Sequence, residues 1–454
     1  MNRNALEKLV FELQKENEKL KEENAYLKFE LEEFRSKRYK PNKKKPPCNT
    51  LTPPSPHSKK RGGLFGHIGW FRKKPRKIDR IEEVRLDKCP ECGSKDLTEC
   101  KKTHEHIQED IILPKVEAVL YRKHRYYCKN CKRVISPKGT DETPGSCIGP
   151  RAKAFAVFLR FGIKISERDV SVLFRRAFNL KIATSGVAGF MDQLKIEALP
   201  IYNKLLSSLK EGSFIHADET GWKIDGFNHW LWKFSNKKIC VSHIDKSRGQ
   251  NVVEKMIGSK YRGVLISDFL SAYNKIEAKA KQRCLVHILR DLDKVMEYWH
   301  DDLEVLRYCE RLKKIFEDAI QLRKEYEGKI WDNNYRRRRE SLAMAMKDFD
   351  FPNPNKRILK RFAKRLKRHK DEILTFLYEK DIDYHNNHAE QQIRPDVIFR
   401  KITFGNRSYG GAENHSVIMS IIQTAKLNGI DPIGAVEKIL LRSPQNPLAK
   451  ALSP

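Results

Sequence analysis

The sequence has no apolar run long enough to cross a bilayer, which excludes membrane-spanning helices. No signal peptide opens it. Met1-Asn-Arg-Asn-Ala-Leu-Glu-Lys8 runs straight into charge, so an intracellular chain with reduced thiols is expected. Cysteine is too sparse for a disulfide scaffold, ten in 454 residues, and where thiols stay reduced paired cysteines point to metal. Acidic residues are in short supply: 59 Asp and Glu face 91 Lys and Arg, a net charge of +32. That surplus exceeds what solubility asks and predicts a polyanionic partner, nucleic acid first. A generic basic protein of the ribosome-associated kind is the other reading of charge alone. Hydrophobic residues at 39% allow a sizeable core, and the length allows two to four domains.

Leu6, Leu13, Leu20, Leu27 and Phe34 recur every seven residues, with Val10, Asn17, Asn24 and Leu31 at the other seam position. Apolar d positions with Asn at a suit a parallel two-stranded coiled coil, hence a homodimer through residues 1–36. A single amphipathic helix packed on its own protein gives the same pattern. Residues 37–84 mix Lys and Arg with Pro and Gly, the composition of a basic linker that folds only on phosphates, or of a plain tether. Cys89-Pro-Glu-Cys92 and Cys128-Lys-Asn-Cys131 can give four thiolates to one structural zinc, a ribbon over residues 85–140 with Ile107–Tyr127 as hairpin material. Residues 150–208 read as helical. Glu167–Phe178, a turn at Asn179-Leu180 and a cap at Thr184 or Ser185 resemble a helix-turn-helix, with Arg175 and Arg176 toward DNA. Two ordinary packed helices fit equally.

From Phe214 the rhythm becomes that of strands. Phe214–Ile224, the Asp225-Gly226 turn, Asn228–Phe234 and Lys238–Ile244 predict three antiparallel strands. A helix at Asn251–Ile257, a strand at Val264–Ser267, a helix near Tyr273–Lys279 and a strand near Arg283–Val286 follow. That order is the one of a ribonuclease-H-like core, in which Asp218 and Asp268 face each other. A third acid, Glu390, sits on a predicted helix; Glu413 is its rival, in what reads as a loop entering the helix Val417–Leu427. Glu219 should point to the opposite face from Asp218. Three converging carboxylates suit two Mg²⁺ (or Mn²⁺) ions about 3.5–4 Å apart, which stabilise attacking and leaving oxygens in displacement at phosphorus.

Cys284, His287 and Arg290 fall at helical spacing. As a metal site one Cys and one His lack partners; a phosphate contact by His287 or Arg290, or plain packing, are the other readings. Arg336–Arg339 and the Lys and Arg of 356–368 make basic faces on a helical insertion over residues 293–383. Asn386 and Asn387 are candidate caps for the closing helix, which Pro395 would kink. Arg394, Lys401 and Arg407 add positive charge there, and Tyr409-Gly-Gly411 reads as a tight turn.

These motifs resemble the insertion-sequence-sixty-six family of bacterial transposases. The resemblance is carried by Asp218-Glu-Thr-Gly221, Ser267-Asp268 with Tyr273, Cys284-x-x-His287-x-x-Arg290, Asn386-Asn-His-Ala-Glu390 with Ile393-Arg-Pro395, and the tail Ser420–Pro432. Gln391 stands where the family usually places Arg, and Leu64-Phe65 interrupts its Gly-Gln-Pro-Gly-His run. The resemblance implies a transposase whose acidic triad, Asp218, Asp268 and Glu390, acts with Mg²⁺ on terminal inverted repeats and target DNA. It also implies small helper proteins and a place in the bacterial cytoplasm, on the nucleoid and not the membrane.

The expected architecture is therefore α/β: a ribonuclease-H-like catalytic core over residues 212–292 and 384–430 with the helical insertion, an N-terminal coiled coil, a zinc ribbon and a helical DNA-binding region, and a tail at 431–454. DNA-contacting candidates are Arg175, Arg176, His287, Arg290, Arg394, Lys401 and Arg407. The expected function is metal-dependent strand cleavage and transfer. A DNA-binding regulator with a decayed nuclease core and a structure-specific nuclease of the same fold are the alternatives.

Overall fold

A computed structural model describes residues 145–349 and 357–443, most of 116–143, parts of 12–28, and the single residues Lys95 and Leu448. Residues 38–115 separate as a unit of their own. The expected linker, Cys89, Cys92, Cys131 and the side chain of Cys128 lie outside the described residues.

Residues 12–21 are helical (α1), as are 23–24 and 27–28. Leu13, Leu20 and Leu27 of the heptad seam are each about half exposed. Near the ribbon, Tyr126–Cys128 (β1) and Arg133–Ile135 (β2) pair antiparallel. The expected hairpin material ahead of them is not strand over residues 116–125, where Val116, Val119 and Leu120 are exposed. Alternation without a covered face does not hold a ladder.

Pro150–Val157 (α2) runs into a wider helical turn, Phe158–Ile163. Glu167–Phe178 (α3) is capped by Ser166 and ends at Asn179 in the left-handed conformation, φ 52°. Thr184–Glu211 (α4) follows, and Pro200 lies inside it. The expected cap at Thr184 or Ser185 is absent: Ala183 holds that position with no side-chain bond, because the helix begins one residue early.

Five strands form the central mixed sheet: Phe214–Ile224 (β3), Phe227–Ser235 (β4), Cys240–Asp245 (β5), Lys260–Ser267 (β6) and Glu277–Arg283 (β7), with Gln250–Ile257 (α5) between β5 and β6. The order is β5-β4-β3-β6-β7. The first three are antiparallel; β6 runs parallel to β3 and β7 parallel to β6. Asp225 (φ 48°) and Gly226 (φ 79°) turn the first hairpin, both left-handed as a tight primed turn demands.

The stretch after β6 differs from expectation. The predicted helix near Tyr273–Lys279 is a single tight turn, Ser271–Tyr273, followed by β7; the predicted strand near Arg283–Val286 is the end of β7 and the start of a helix. Glu277-Ala-Lys-Ala-Lys-Gln-Arg283 consists of good helix formers, yet pairing with β6 overrides that preference.

Helices Leu285–Tyr298 (α6), Leu303–Glu325 (α7), Asn333–Lys347 (α8) and Arg357–His369 (α9) build a second apolar cluster around Leu292, Leu312, Phe316 and Leu366. Asn387–Thr403 (α10), Tyr409–Leu427 (α11) and Pro432–Leu440 (α12) close the fold. Pro395 lies within α10, which continues through it. Tyr409-Gly-Gly411 is the first turn of α11, not a free turn; Ser408 caps it by accepting from the Gly411 N–H at 3.1 Å. Glu413 is on that helix and pairs with Lys195 at 3.1 Å.

Both sheet edges are covered. On β5, the Cys240 and Ser242 N–H groups donate to the hydroxyls of Thr424 (3.1 Å) and Ser420 (2.8 Å) on α11. On β7, the Thr375 hydroxyl donates to the Lys281 carbonyl at 2.6 Å, and the Phe376 N–H to the Gln282 side chain at 2.8 Å. Satisfied edges do not recruit strands from other chains.

Candidate active site

Parallel pairing brings two of the predicted acids to one end of the sheet. Phe214, Ile215 and His216 pair with Val264, Leu265 and Ile266. Asp218 lies two residues beyond His216 and Asp268 two beyond Ile266, so the same register carries both forward. Asp218 is in mid-strand, not at the strand's end, since β3 runs on to Ile224. Asp268 follows β6 directly, and its carboxylate accepts from the Leu270 N–H at 2.9 Å.

Glu390 arrives on the first turn of α10, which packs on β3. Asn386 ties the start of that helix to the strand. Its side chain donates to the Ala217 carbonyl (2.8 Å) and pairs with the His216 ring (3.1 Å), and its N–H donates to Cys284 Sγ (3.2 Å). It is 1% exposed and makes no side-chain cap, contrary to the sequence expectation; its amide is spent on β3 instead.

Burial, then the charges of Glu219, Asp268 and Glu390, push the Asp218 carboxyl up to about 8; the Glu219 N–H, donating at 2.9 Å, pulls the other way. Glu219 is also raised, by burial and Asp268, but Arg248 and Tyr273 oppose the rise. Arg248 donates to one oxygen at 2.8 Å and the Tyr273 hydroxyl to the other at 3.0 Å. Glu219 is thus already partnered, whereas one Glu390 oxygen is buried with no partner among the described residues. Crowded carboxylates short of countercharge are a cation's donor set.

Arg283, fully buried, braces the Asp268 loop and was not singled out from sequence. Its guanidinium donates to the Asp268 carbonyl (2.7 Å), the Ser267 hydroxyl (3.1 Å), Asn274 (2.9 Å) and Glu372 (2.6 Å). Burial would raise Glu372, but His369 and Arg283 outweigh it and hold it at about 2. An arginine at the end of a polar strand carries no local signal of this role, because its partners lie at the end of β6, in the loop that precedes β7, and 89 residues further on.

A second group missed in sequence sits beneath α10. Lys233 on β4, Asp396 on α10 and His415 on α11 have wholly buried side chains. Lys233 Nζ is 2.7 Å from Asp396, and the His415 ring is 2.8 Å from its other oxygen.

Of the predicted DNA contacts, Arg290, Arg394, Lys401 and Arg407 are exposed on α6, α10 and the loop after α10, and Arg175 and Arg176 are exposed on the last turn of α3. None has an acidic partner among the described residues. Arg394 does not pair with Glu390. His287 is different: half-buried, with an Nδ1 unpartnered among the described residues, it stands with Cys284 and Glu390 so that one donor atom of each lies within 4.8 Å of the others.

Asp218 in mid-strand, Asp268 just beyond β6 and Glu390 on α10 thus stand on a mixed α/β scaffold. The chain belongs to the Transposase IS66 family, whose family model matches residues 145–414, a span that holds all three acids. Membership gives it a transposase role in general terms, with DNA as partner and a divalent ion as requirement. Two relatives from Sinorhizobium fredii are uncharacterized: y4hP is 21% identical over 424 residues, covering 82% of this chain and 74% of the relative, and y4qI is 22% identical over 406, covering 81% and 73%. No helix among the described residues is long and apolar enough to cross a membrane.

Proposed function

We propose that this chain cuts the ends of a mobile element and joins them to target DNA, with Asp218, Asp268 and Glu390 as the catalytic acids. The observation that carries this reading is geometric: the β3–β6 register brings Asp218 and Asp268 to one end of the sheet, and α10, packed on β3, carries Glu390 there; the raised Asp218 carboxyl agrees with it. The unpartnered Glu390 oxygen supports it, and the donor set fits hard divalent ions. Mg²⁺ or Mn²⁺ bound there supplies positive charge opposite the reacting phosphate oxygens.

The chain's own residues do the positioning. Asn386 holds the start of α10 to β3, Arg283 fixes the Asp268 loop, and Arg248 with Tyr273 keeps Glu219 occupied. Arg290, Arg394, Lys401 and Arg407 are free to meet phosphate and hold the DNA backbone over the acids. The sheet order β5-β4-β3-β6-β7, three strands antiparallel and two parallel, supports a ribonuclease-H-like core over residues 212–292 and 384–430, interrupted by 293–383. The half-exposed Leu13, Leu20 and Leu27 support a homodimeric coiled coil over residues 1–36. The ribbon of 85–140, with zinc on Cys89, Cys92, Cys128 and Cys131, and the helices of 150–208, with Arg175 and Arg176, complete a DNA-binding amino-terminal half. The linker of 37–84 and the tail of 431–454 flank these parts. The setting is the bacterial nucleoid.

The test is an assay of the full chain, with helper proteins, on DNA bearing the element's ends and Mg²⁺. Nicked ends and joined products are expected, both abolished by Asp218→Asn. Binding without nicking would overturn the reading for a regulator, and nicking without joining for a structure-specific nuclease.

A further inference from the structure

Cys284, His287 and Glu390 come from two elements far apart in sequence. Cys284 is the residue before α6, and His287 lies in the first turn of that helix. Glu390 reaches them from α10. Cys284 is fully buried, and its sulfur accepts from the Asn386 N–H at 3.2 Å. The backbone N–H groups of Val286 and His287 also favour its thiolate, against the push of burial. His287 Nδ1 and Glu390 Oε1 are each buried without a partner among the described residues, an arrangement costly unless something bonds them. The sequence spacing alone left the Cys and His without a third donor, and the fold supplies it.

We propose that these residues form a metal site of their own, for a thiophilic divalent ion such as Zn²⁺ or Cd²⁺. Thiolate, imidazole and carboxylate make the donor set of a borderline ion, not of Mg²⁺, which prefers oxygen alone. Donors around a tetrahedral zinc stand about 3.4–3.6 Å apart, from bond lengths of about 2.0–2.3 Å. The donors here lie within 4.8 Å of one another, so closure asks a shift of about 1 Å. Three protein ligands leave the fourth position to water or phosphate oxygen. Glu390 is also in the proposed magnesium set, but the thiophilic site stands on its three donors whether or not that set operates. Where both operate, a thiophilic ion draws Glu390 away from Asp218 and competes with magnesium.

The experiment counts Cd²⁺ bound per full-length chain by equilibrium dialysis and follows the cadmium–thiolate absorption in the near ultraviolet. The four ribbon cysteines contribute equally to every variant and cancel in the difference. Cys284→Ser is expected to bind one Cd²⁺ fewer than the unaltered chain, with a matching loss of absorption. His287→Gln, which keeps a polar side chain at this half-buried position, is expected to weaken that same ion at least tenfold. Asp218→Asn and Asp268→Asn are expected to retain it. Equal stoichiometry in the unaltered chain, Cys284→Ser and His287→Gln would overturn the site, as would loss of the ion in Asp218→Asn. Neither result bears on the magnesium reading, which fails separately if Asp218→Asn still cuts DNA.

Discussion

Helix α10 carries two acids six residues apart, and they meet opposite fates. Asp396 is entirely buried and has a countercharge: Lys233 stands 2.7 Å from one of its oxygens and the His415 ring 2.8 Å from the other. Burial alone would raise Asp396, but Lys233 and then His415 outweigh it and hold it below the ordinary carboxylate range. Glu390 lies in the first turn, nearer the amino-terminal end than mid-helix Asp396, beside two further carboxylates and no basic partner among the described residues. A buried charge answered inside the protein fixes position. A cluster left unanswered waits for something from outside. The lock at Asp396 seats the helix that presents Glu390, so the two acids are halves of one arrangement.

The sharpest break between the two should appear in activity. Glu390→Gln or Asp218→Asn is expected to reduce DNA cleavage by on the order of a thousandfold or more, the scale of losing a group that stabilises transition-state charge. Neither should lower the melting temperature, since each removes repulsion and an amide oxygen at position 218 can still accept from the Glu219 N–H. If Glu390→Gln unfolded the protein, its carboxylate would be structural and the contrast would collapse.

At Asp396 the loss should be in stability. Lys233→Met leaves Asp396 buried without its countercharge, at a cost of about 3–5 kcal/mol. Pairing it with Asp396→Leu removes both charges and is expected to recover much of that loss, which urea unfolding of the single and double variants would show. A single variant as stable as the parent would mean that Lys233 does not lock α10.

The acidic end also carries a pH signature. The Asp218 carboxyl is pushed up to about 8 in the fold, against about 3.9 in an unfolded chain. Between those values the folded state holds the extra proton, so metal-free stability falls as pH rises through the window and the cost is complete above it. Below both values the group is protonated in either state and contributes nothing. The melting temperature of Asp218→Asn minus that of the parent is therefore expected to grow from about pH 5 to pH 8, and Mg²⁺ should narrow the gap. A difference independent of pH would show that Asp218 ionises normally and that the carboxylates do not converge.

Much of the acidic end was legible in the sequence, because strands announce themselves locally. Phe214–Ile224 is the predicted strand to the residue, and Asp225-Gly226 is a turn that few other pairs make as readily. The lock was not legible. Lys233 sits in an aromatic strand and Asp396 follows a proline, and nothing within ten residues of either names the other. Nor was the β7 strand, whose helix-forming residues adopt the extended form only because β6 lies beside them. Cys284 and His287 were visible as a pair; their third donor, 103 residues beyond His287, appears only once α10 is folded onto β3. Local chemistry reads from sequence, whereas long-range charge pairing needs the fold.

The smallest expected effect belongs to the exposed cations that stand beside the acids without pairing with them. Arg394 is one turn beyond Glu390 on α10, exposed and without an acidic partner among the described residues. If it meets a DNA phosphate, Arg394→Ala should weaken end binding modestly and equally for any sequence. It should also make the slope of log affinity against log salt shallower by about 0.9, the release of one condensed counterion. Lys233→Met, which alters a cation never offered to solvent, should leave that slope unchanged in whatever fraction remains folded. An unaltered slope in Arg394→Ala would mean that the exposed charge on α10 serves solubility alone. DNA would then approach the acids from the side of Arg290 on α6.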